Sequence, residues 1–200
     1  MKILFVCTGN TCRSPMAEAL LKNKLPEVEV QSAGVFASMG ASANKQAMDV
    51  LKERGIELNH RTQPVTDELL EWADVILTMT SQHKQALMMD FPDYQDKYFT
   101  LKEYVSDTDK RIWNEIKKRY AELEIKRSLF LSEHAKEPEE LLEKKLQEYL
   151  QEDMEAIRKL ESSLINYDIS DPFGGDMSIY RETLNELDKY IEQLKKKINQ

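Results

Sequence analysis

The chain has 200 residues, 36 acidic against 28 basic, and a formal charge of −8. Its 41 % hydrophobic content supports a buried core of one or two domains and argues against intrinsic disorder. The acidic balance argues against nonspecific nucleic-acid binding, and no apolar run approaches the roughly 20 residues that span a bilayer. The apolar start, Met1 to Cys7, is too short for a signal-peptide core and has no small-residue cleavage site after it. The expectation is a soluble, cytoplasmic protein with no nucleic-acid or membrane partner. Cys7 and Cys12 are the two cysteines, which excludes a secreted disulfide framework and makes a poor zinc site without neighbouring histidines. No metal and no cofactor are expected.

The elements read in chain order as follows. Residues 2–7 form a bounded apolar run that suits a buried parallel strand. The loop from Thr8 to Ser14 leads into a helix through Met16 to Lys22, with Ser14 as N-cap and Pro15 at the first helical position. Val28 to Ser32 alternates as a strand. Residues 42–54 form a helix with Ala43, Ala47, Val50 and Leu51 on one face and Gly55 as its stop. Another helix starts near Thr66, with Asp67 and Glu68 in its first turn. Ala73 to Met79 is the next strand, Ser81 caps a helix to about Met89, and Lys97 to Thr100 is a short strand. Alternating strands and helices predict an α/β fold, a central parallel sheet flanked by helices on both faces.

The pattern changes near Asp107. The six glycines are 9, 34, 40, 55, 174 and 175, so the long gap between 55 and 174 points to helix rather than tightly turned sheet. Ile112, Ile116, Tyr120 and Leu123 make one apolar stripe, and Leu146, Leu150, Ile157, Leu160 and Leu164 make another. Ser132 to Pro138 separates them, with Pro138 near the start of the second helix. This reads as a helical hairpin over 109–168, inserted within a single domain of 1–200. Asp171-Pro172-Phe173-Gly174-Gly175 follows, then an amphipathic helix to about Lys197. Internal repeats are absent.

The chemistry lies in Cys7-Thr8-Gly9-Asn10-Thr11-Cys12-Arg13-Ser14. A strand ends in Cys7, five residues follow, and Arg13 opens a helix. That layout gathers backbone N–H groups around one point at a helix N-terminus, which is a site for phosphate or another oxyanion. Gly9 relieves crowding and Asn10 tolerates left-handed geometry. Arg13 offers a two-donor fork to phosphate oxygens. The helix dipole and Arg13 favour the thiolate of Cys7, and the Ser14 hydroxyl can donate to it.

Val6 to Pro15 resembles the motif V-C-x-G-N-x-C-R-S-P of the low-molecular-weight protein tyrosine phosphatases. Ser32-Ala33-Gly34 is similar to that family's second block, and Asp171-Pro172-Phe173 to its acid loop. The resemblance covers about 1–107 and 168–200 and leaves the hairpin outside. It implies that Cys7 attacks phosphorus, that Arg13 and the loop 8–14 hold the oxygens, and that Asp171 protonates the leaving group and then activates water.

Thr11 bears on specificity. Tyrosine-specific relatives usually carry an aliphatic residue there, which packs on a phenyl ring. A hydroxyl makes that wall polar and suits a guanidinium. The alternative is a loop residue whose hydroxyl bonds its own backbone. The run from Cys7 to Leu20, Ser32 to Ser38, Leu58-Asn59-His60, His83-Lys84-Gln85, Phe99 to Val105 and Asp171 to Gly175 resemble the protein arginine phosphatase branch of the family. That resemblance implies a bacterial enzyme acting on arginine-phosphorylated proteins; a monomer is expected.

Phe36 and Phe173 are expected to form pocket walls, with a place in the core as the alternative for each. Cys12 is either a small loop residue or the partner of Cys7 in a protective, reversible disulfide. His60 reads as a structural hydrogen-bonding residue, and His83 and His134 as residues without a catalytic partner. Three other readings stand beside this one. A tyrosine phosphatase of the same family is the first. A thioredoxin-linked arsenate reductase would need cysteines after Cys12, and none follow. A phosphate-dependent binding module would need a disabled catalytic set, yet Cys7, Arg13 and Asp171 are present.

Overall fold

The computed structural model describes residues 1–106, 108–134, 139–162 and 166–199. Its strands are β1 (Lys2–Cys7), β2 (Glu29–Gly34), β3 (Val75–Thr78) and β4 (Tyr98–Thr100). Its helices are α1 (Arg13–Lys24), α2 (Lys45–Lys52), α3 (Asp67–Trp72), α4 (Ser81–Asp90), α5 (Leu101–Val105), α6 (Thr108–Glu133), α7 (Glu139–Ser162) and α8 (Met177–Ile198). All strand pairs are parallel and the order is β2-β1-β3-β4. β1 is therefore central, pairing from Lys2↔Glu29 to Cys7↔Gly34 on one side and from Ile3↔Val75 to Val6↔Thr78 on the other.

Both faces of β1 are buried, which is why its sequence is a continuous apolar run rather than an alternating one. Ile3, Phe5 and Cys7 point into a core shared with Met16 and Leu20 of α1, Leu51 of α2, and Tyr180, Leu184 and Ile191 of α8. Leu4 and Val6 point into the opposite core, with Leu70 of α3, Leu87 of α4, Ile76 and Tyr98. This is the α/β sandwich expected from the alternation of strands and helices.

The ends of several elements differ from the sequence reading. α1 begins at Arg13, and Cys12 occupies the cap position without a side-chain capping bond. Ser14 is thus inside the helix and not its N-cap, because its hydroxyl turns inward to Cys7 and Asn10. Thr80 rather than Ser81 caps α4, accepting from the His83 amide. α2 is shorter than 42–54, starting after Asn44, whose side chain accepts from Gln46 N. Gly55 follows it with φ +72°, a left-handed stop. Thr66 caps α3 as expected. A 3₁₀ turn at Pro92–Lys97 and the short α5 have no sequence signal of their own.

The chain divides into two compact units, one of Met1–Val105 with Tyr167–Gln200 and one of Ser106–Asn166. In the second, α6 and α7 pack together. Ile116, Phe130, Leu150 and Ile157 are buried, Phe130 stacks on Tyr149 at 4.9 Å, and Lys126 pairs with Asp153 at 2.7 Å. Tyr120, expected in the apolar stripe, is 48 % exposed. Pro138 and Leu164 lie outside the described residues. No helix among the described residues is long and apolar enough to cross a membrane.

Leu4 is fully buried in the middle of β1. Leu4→Ala should lower unfolding free energy by about 3 kcal/mol, the usual cost of a core cavity. Chemical denaturation checks this, and a loss below about 1 kcal/mol would contradict the placement.

Candidate active site

The strand order reverses on either side of β1, so crossovers leave on opposite faces and a crevice opens at its C-terminal end. Cys7 is the last residue of β1 and stands in that crevice. The loop that follows must turn at once into α1. Asn10 allows this by adopting φ 54°, the one left-handed non-glycine residue among those described. Its buried side chain is then tied on every side. Nδ2 donates to Ser14 Oγ at 3.0 Å and Ser32 Oγ at 2.8 Å, while Oδ1 accepts from Gln63 N at 2.9 Å.

The carbonyls of residues 7, 8 and 10–12 have partners outside the loop. Cys7 O accepts from Val35 N, Thr8 O from Phe36 N, Thr11 O from Asn44 N and Cys12 O from Met16 N. Asn10 O faces His60 Nε2 at 3.0 Å. Among the described residues, none of the N–H groups of residues 8–12 donates to a protein acceptor. A set of aligned, unpartnered amides at a helix N-terminus is an oxyanion site. Gly9 is not crowded by the protein, since a Cβ there would meet only Thr11 Oγ1 at 3.7 Å. The tight glycine is Gly34, where a Cβ would sit 2.6 Å from Thr8 O and 2.8 Å from Asn10 N.

Cys7 Sγ lies 3.0 Å from Ser14 Oγ. Arg13 is buried at 5 % exposure, and its fork reaches Asp171 Oδ2 at 2.6 Å and Ile169 O at 3.3 Å. Three of the guanidinium's five N–H donors remain. Asp171 is half exposed, and its Oδ1 accepts from Phe173 N at 3.1 Å. Cys7, Thr8, Gly9, Thr11, Cys12, Arg13, Asp171 and Phe173 line one cleft of about 270 Å³. The structure thus brings together residues that are more than 150 positions apart in the chain.

Asn10 and Ser14 lie beneath the cleft rather than on its wall. Phe36 is 77 % exposed, so it is not core, and it does not line the cleft. The Thr11 hydroxyl sits 3.6 Å from Cys12 Sγ and does not bond its own backbone. Cys12 is buried and faces Tyr180 OH at 3.4 Å. Burial pushes its thiol up, against the opposing pull of Tyr180 and Thr11.

Several supporting residues escaped the sequence reading. Ser32 Oγ donates to Glu18 Oε2 at 2.6 Å, so the Asn10 network ends on a carboxylate of α1. Only the Ser-Ala-Gly run hinted at Ser32. His83 does have partners: Nε2 is 2.8 Å from Thr8 Oγ1 and Nδ1 is 2.9 Å from Thr80 Oγ1. His134 packs on Phe130 in the hairpin.

A model of the low molecular weight phosphotyrosine protein phosphatase family matches residues 2–154. A relative from Geobacillus stearothermophilus, named protein-arginine-phosphatase, is 39 % identical over 198 residues, 98 % of this chain and 95 % of the relative. The low molecular weight protein-tyrosine-phosphatase PtpB of Staphylococcus epidermidis is 43 % identical over 108 residues, 54 % of this chain and 76 % of the relative. The solved structure of the YwlE arginine phosphatase from G. stearothermophilus superposes with a TM-score of 0.69, covering 99 % of this chain and 92 % of that one. The chain belongs to the low-molecular-weight phosphotyrosine protein phosphatase family, a family of cysteine-based hydrolases.

Burial, reinforced by the Arg13 charge, pushes His83 down to about 4 from its usual 6.5. The unfolded chain therefore binds the proton first as pH falls. The stability this neutral histidine supports is complete above pH 6.5 and is lost toward pH 4. Between pH 6.5 and 5 the loss should be on the order of 2 kcal/mol. His83→Asn should flatten that part of the curve in urea unfolding; an unchanged slope would contradict the assignment.

Proposed function

We propose that the chain hydrolyses phosphoarginine in proteins through a phosphocysteine intermediate. The observation that carries this is the polar side chain of Thr11, which lines the Cys7 cleft together with Asp171. A phenyl ring gains little against a hydroxyl, whereas a guanidino group can hydrogen-bond to it and to a carboxylate. The relative named protein-arginine-phosphatase, matched over nearly all of this chain, supports the reading.

The mechanism follows from the named atoms. The phosphoryl oxygens take the amides of residues 8–12 and the Arg13 fork, including the N–H that Asp171 holds in the free enzyme. Asp171 is then released to face the guanidino group. The Cys7 thiolate attacks phosphorus, the P–N bond breaks, and Asp171 gives its proton to the departing nitrogen. Asp171 next takes a proton from water, the hydroxide attacks phosphorus, and the S–P bond breaks to return the thiolate. Ser14, 3.0 Å from the sulfur, donates to that thiolate as it leaves. Phe173 supplies the apolar side of the cleft. These steps use only the chain's own residues, so no metal or cofactor enters the proposal, and one chain supplies the whole set.

The runner-up is a tyrosine phosphatase, favoured by the 43 % identity to PtpB. That match spans 54 % of this chain. We include in the proposal a phosphatase domain of 1–200 with the hairpin of 109–168 as an insertion, a reading supported by the separate compact unit of Ser106–Asn166.

Phosphoarginine and phosphotyrosine peptides of one sequence, turned over side by side, decide between the two. The wild-type chain should prefer phosphoarginine. Thr11→Ile should shift the ratio of kcat/KM toward phosphotyrosine by about tenfold or more. A ratio unmoved by the substitution contradicts the Thr11 account, and a wild-type preference for phosphotyrosine selects the runner-up.

A further inference from the structure

Asp171 has few anchors of its own. It is half exposed, bonded to Arg13 and to the amide of Phe173 two residues on. When Arg13 turns to a phosphoryl group, something else must hold the carboxyl in place. The three residues before it are held far more firmly.

Asp168 Oδ1 accepts from Ser81 N at 2.7 Å, at the start of α4. Ile169, 1 % exposed, donates its N–H to Met79 O at 2.7 Å. Ser170 donates to Glu186 Oε2 twice, from N at 3.1 Å and from Oγ at 2.9 Å. Lys102 of α5, 5 % exposed, completes the arrangement. Its Nζ donates to Asp168 O at 2.7 Å and to Glu186 Oε1 at 2.7 Å, above the Tyr190 ring. One buried ammonium and one carboxylate thus grip both ends of the 168–170 segment.

A buried ion pair gains little stability over an apolar side chain of like volume, because desolvation offsets its attraction. What it supplies here is a fixed geometry. Burial alone would raise the Glu186 carboxyl, yet the hydrogen bonds from Lys102 and Ser170 hold it below the usual range. Glu186 is therefore held in the carboxylate form that Lys102 and Ser170 engage.

We propose that Lys102 and Glu186 are positioning residues for Asp171, strapping the segment 168–170 so that the carboxyl stays within reach of the leaving group after Arg13 releases it. The proposal rests on Asp171 being the general acid. A displacement of the order of 1 Å at a reacting group is enough to cost about 100-fold in rate.

The test compares kcat/KM for phenyl phosphate, which has a poor leaving group, and p-nitrophenyl phosphate, which has a good one. A misplaced acid slows the first far more than the second, whereas general damage slows both alike. Asp171→Asn should lower phenyl phosphate turnover by about 100-fold and p-nitrophenyl phosphate much less. Lys102→Met should lower the first by about tenfold with little effect on the second, and Ser170→Ala should shift the ratio in the same direction. Adding Lys102→Met to Asp171→Asn should cost nothing further on phenyl phosphate. Equal losses on both substrates in Lys102→Met and Ser170→Ala, or a full additional loss in the double variant, overturn the strap. An unchanged ratio in Asp171→Asn overturns the acid assignment itself, and the strap with it. Should Lys102→Met not fold, Ser170→Ala, which removes one exposed hydrogen bond, decides alone.

Discussion

The left-handed turn at Asn10 is the constraint on which the site depends. Five residues must pass from the end of β1 to the start of α1 while their amides face one point. That is possible only if one residue reverses the backbone and its polar groups are satisfied as it does so. Asn10 does both, with φ 54° and its side chain bonded to Ser14, Ser32 and Gln63. Scaffold groups bind the carbonyls of residues 7, 8 and 10–12, while the amides of residues 8–12 donate to no protein acceptor among the described residues and are left for an anion. The oxyanion site is thus built into the fold before substrate arrives, and little reorganisation is needed at the moment of reaction.

Placing Cys7 at the end of a doubly buried central strand has a second effect. Ser14 and Arg13, on the first turn of α1, are carried by the same rigid unit as the sulfur. Asp171 comes from a distant part of the chain and is brought in by Arg13, by the anchored 168–170 segment and by α8. The proposed mechanism therefore gives phosphate binding to the rigid half of the site and proton transfer to the half anchored at 168–170. Thr11 and Phe173 come one from each half, and both line the cleft.

Much of this is legible in the sequence, for identifiable reasons. The apolar run of β1, the spacing from Cys7 to Arg13 and the caps at Thr66 and Gly55 are local patterns set by local sterics and hydrogen bonding. What the sequence hides is nonlocal. Ser14 looks like a helix cap because a serine before proline usually is one, but tertiary contacts draw its hydroxyl inward. Gly34 looks like a strand terminator, and only its 2.6 Å clearance from Thr8 O explains why no side chain fits. Phe36 looks like a wall or a core residue, yet it is largely exposed. His83 looks idle until the fold sets it between Thr8 and Thr80. Lys102 is one lysine among many until it is buried against Glu186.

The central claim is that Cys7, cradled by the loop 8–12, takes the phosphoryl group itself. The most direct measurement is to quench the enzyme with acid during turnover of a phosphoarginine peptide and locate the phosphoryl group by peptide mass spectrometry. The account predicts one phosphoryl group on Cys7 and its disappearance as substrate is exhausted. Turnover that persists in Cys7→Ser, with no phosphoryl group on Cys7 in the wild-type chain, would contradict it.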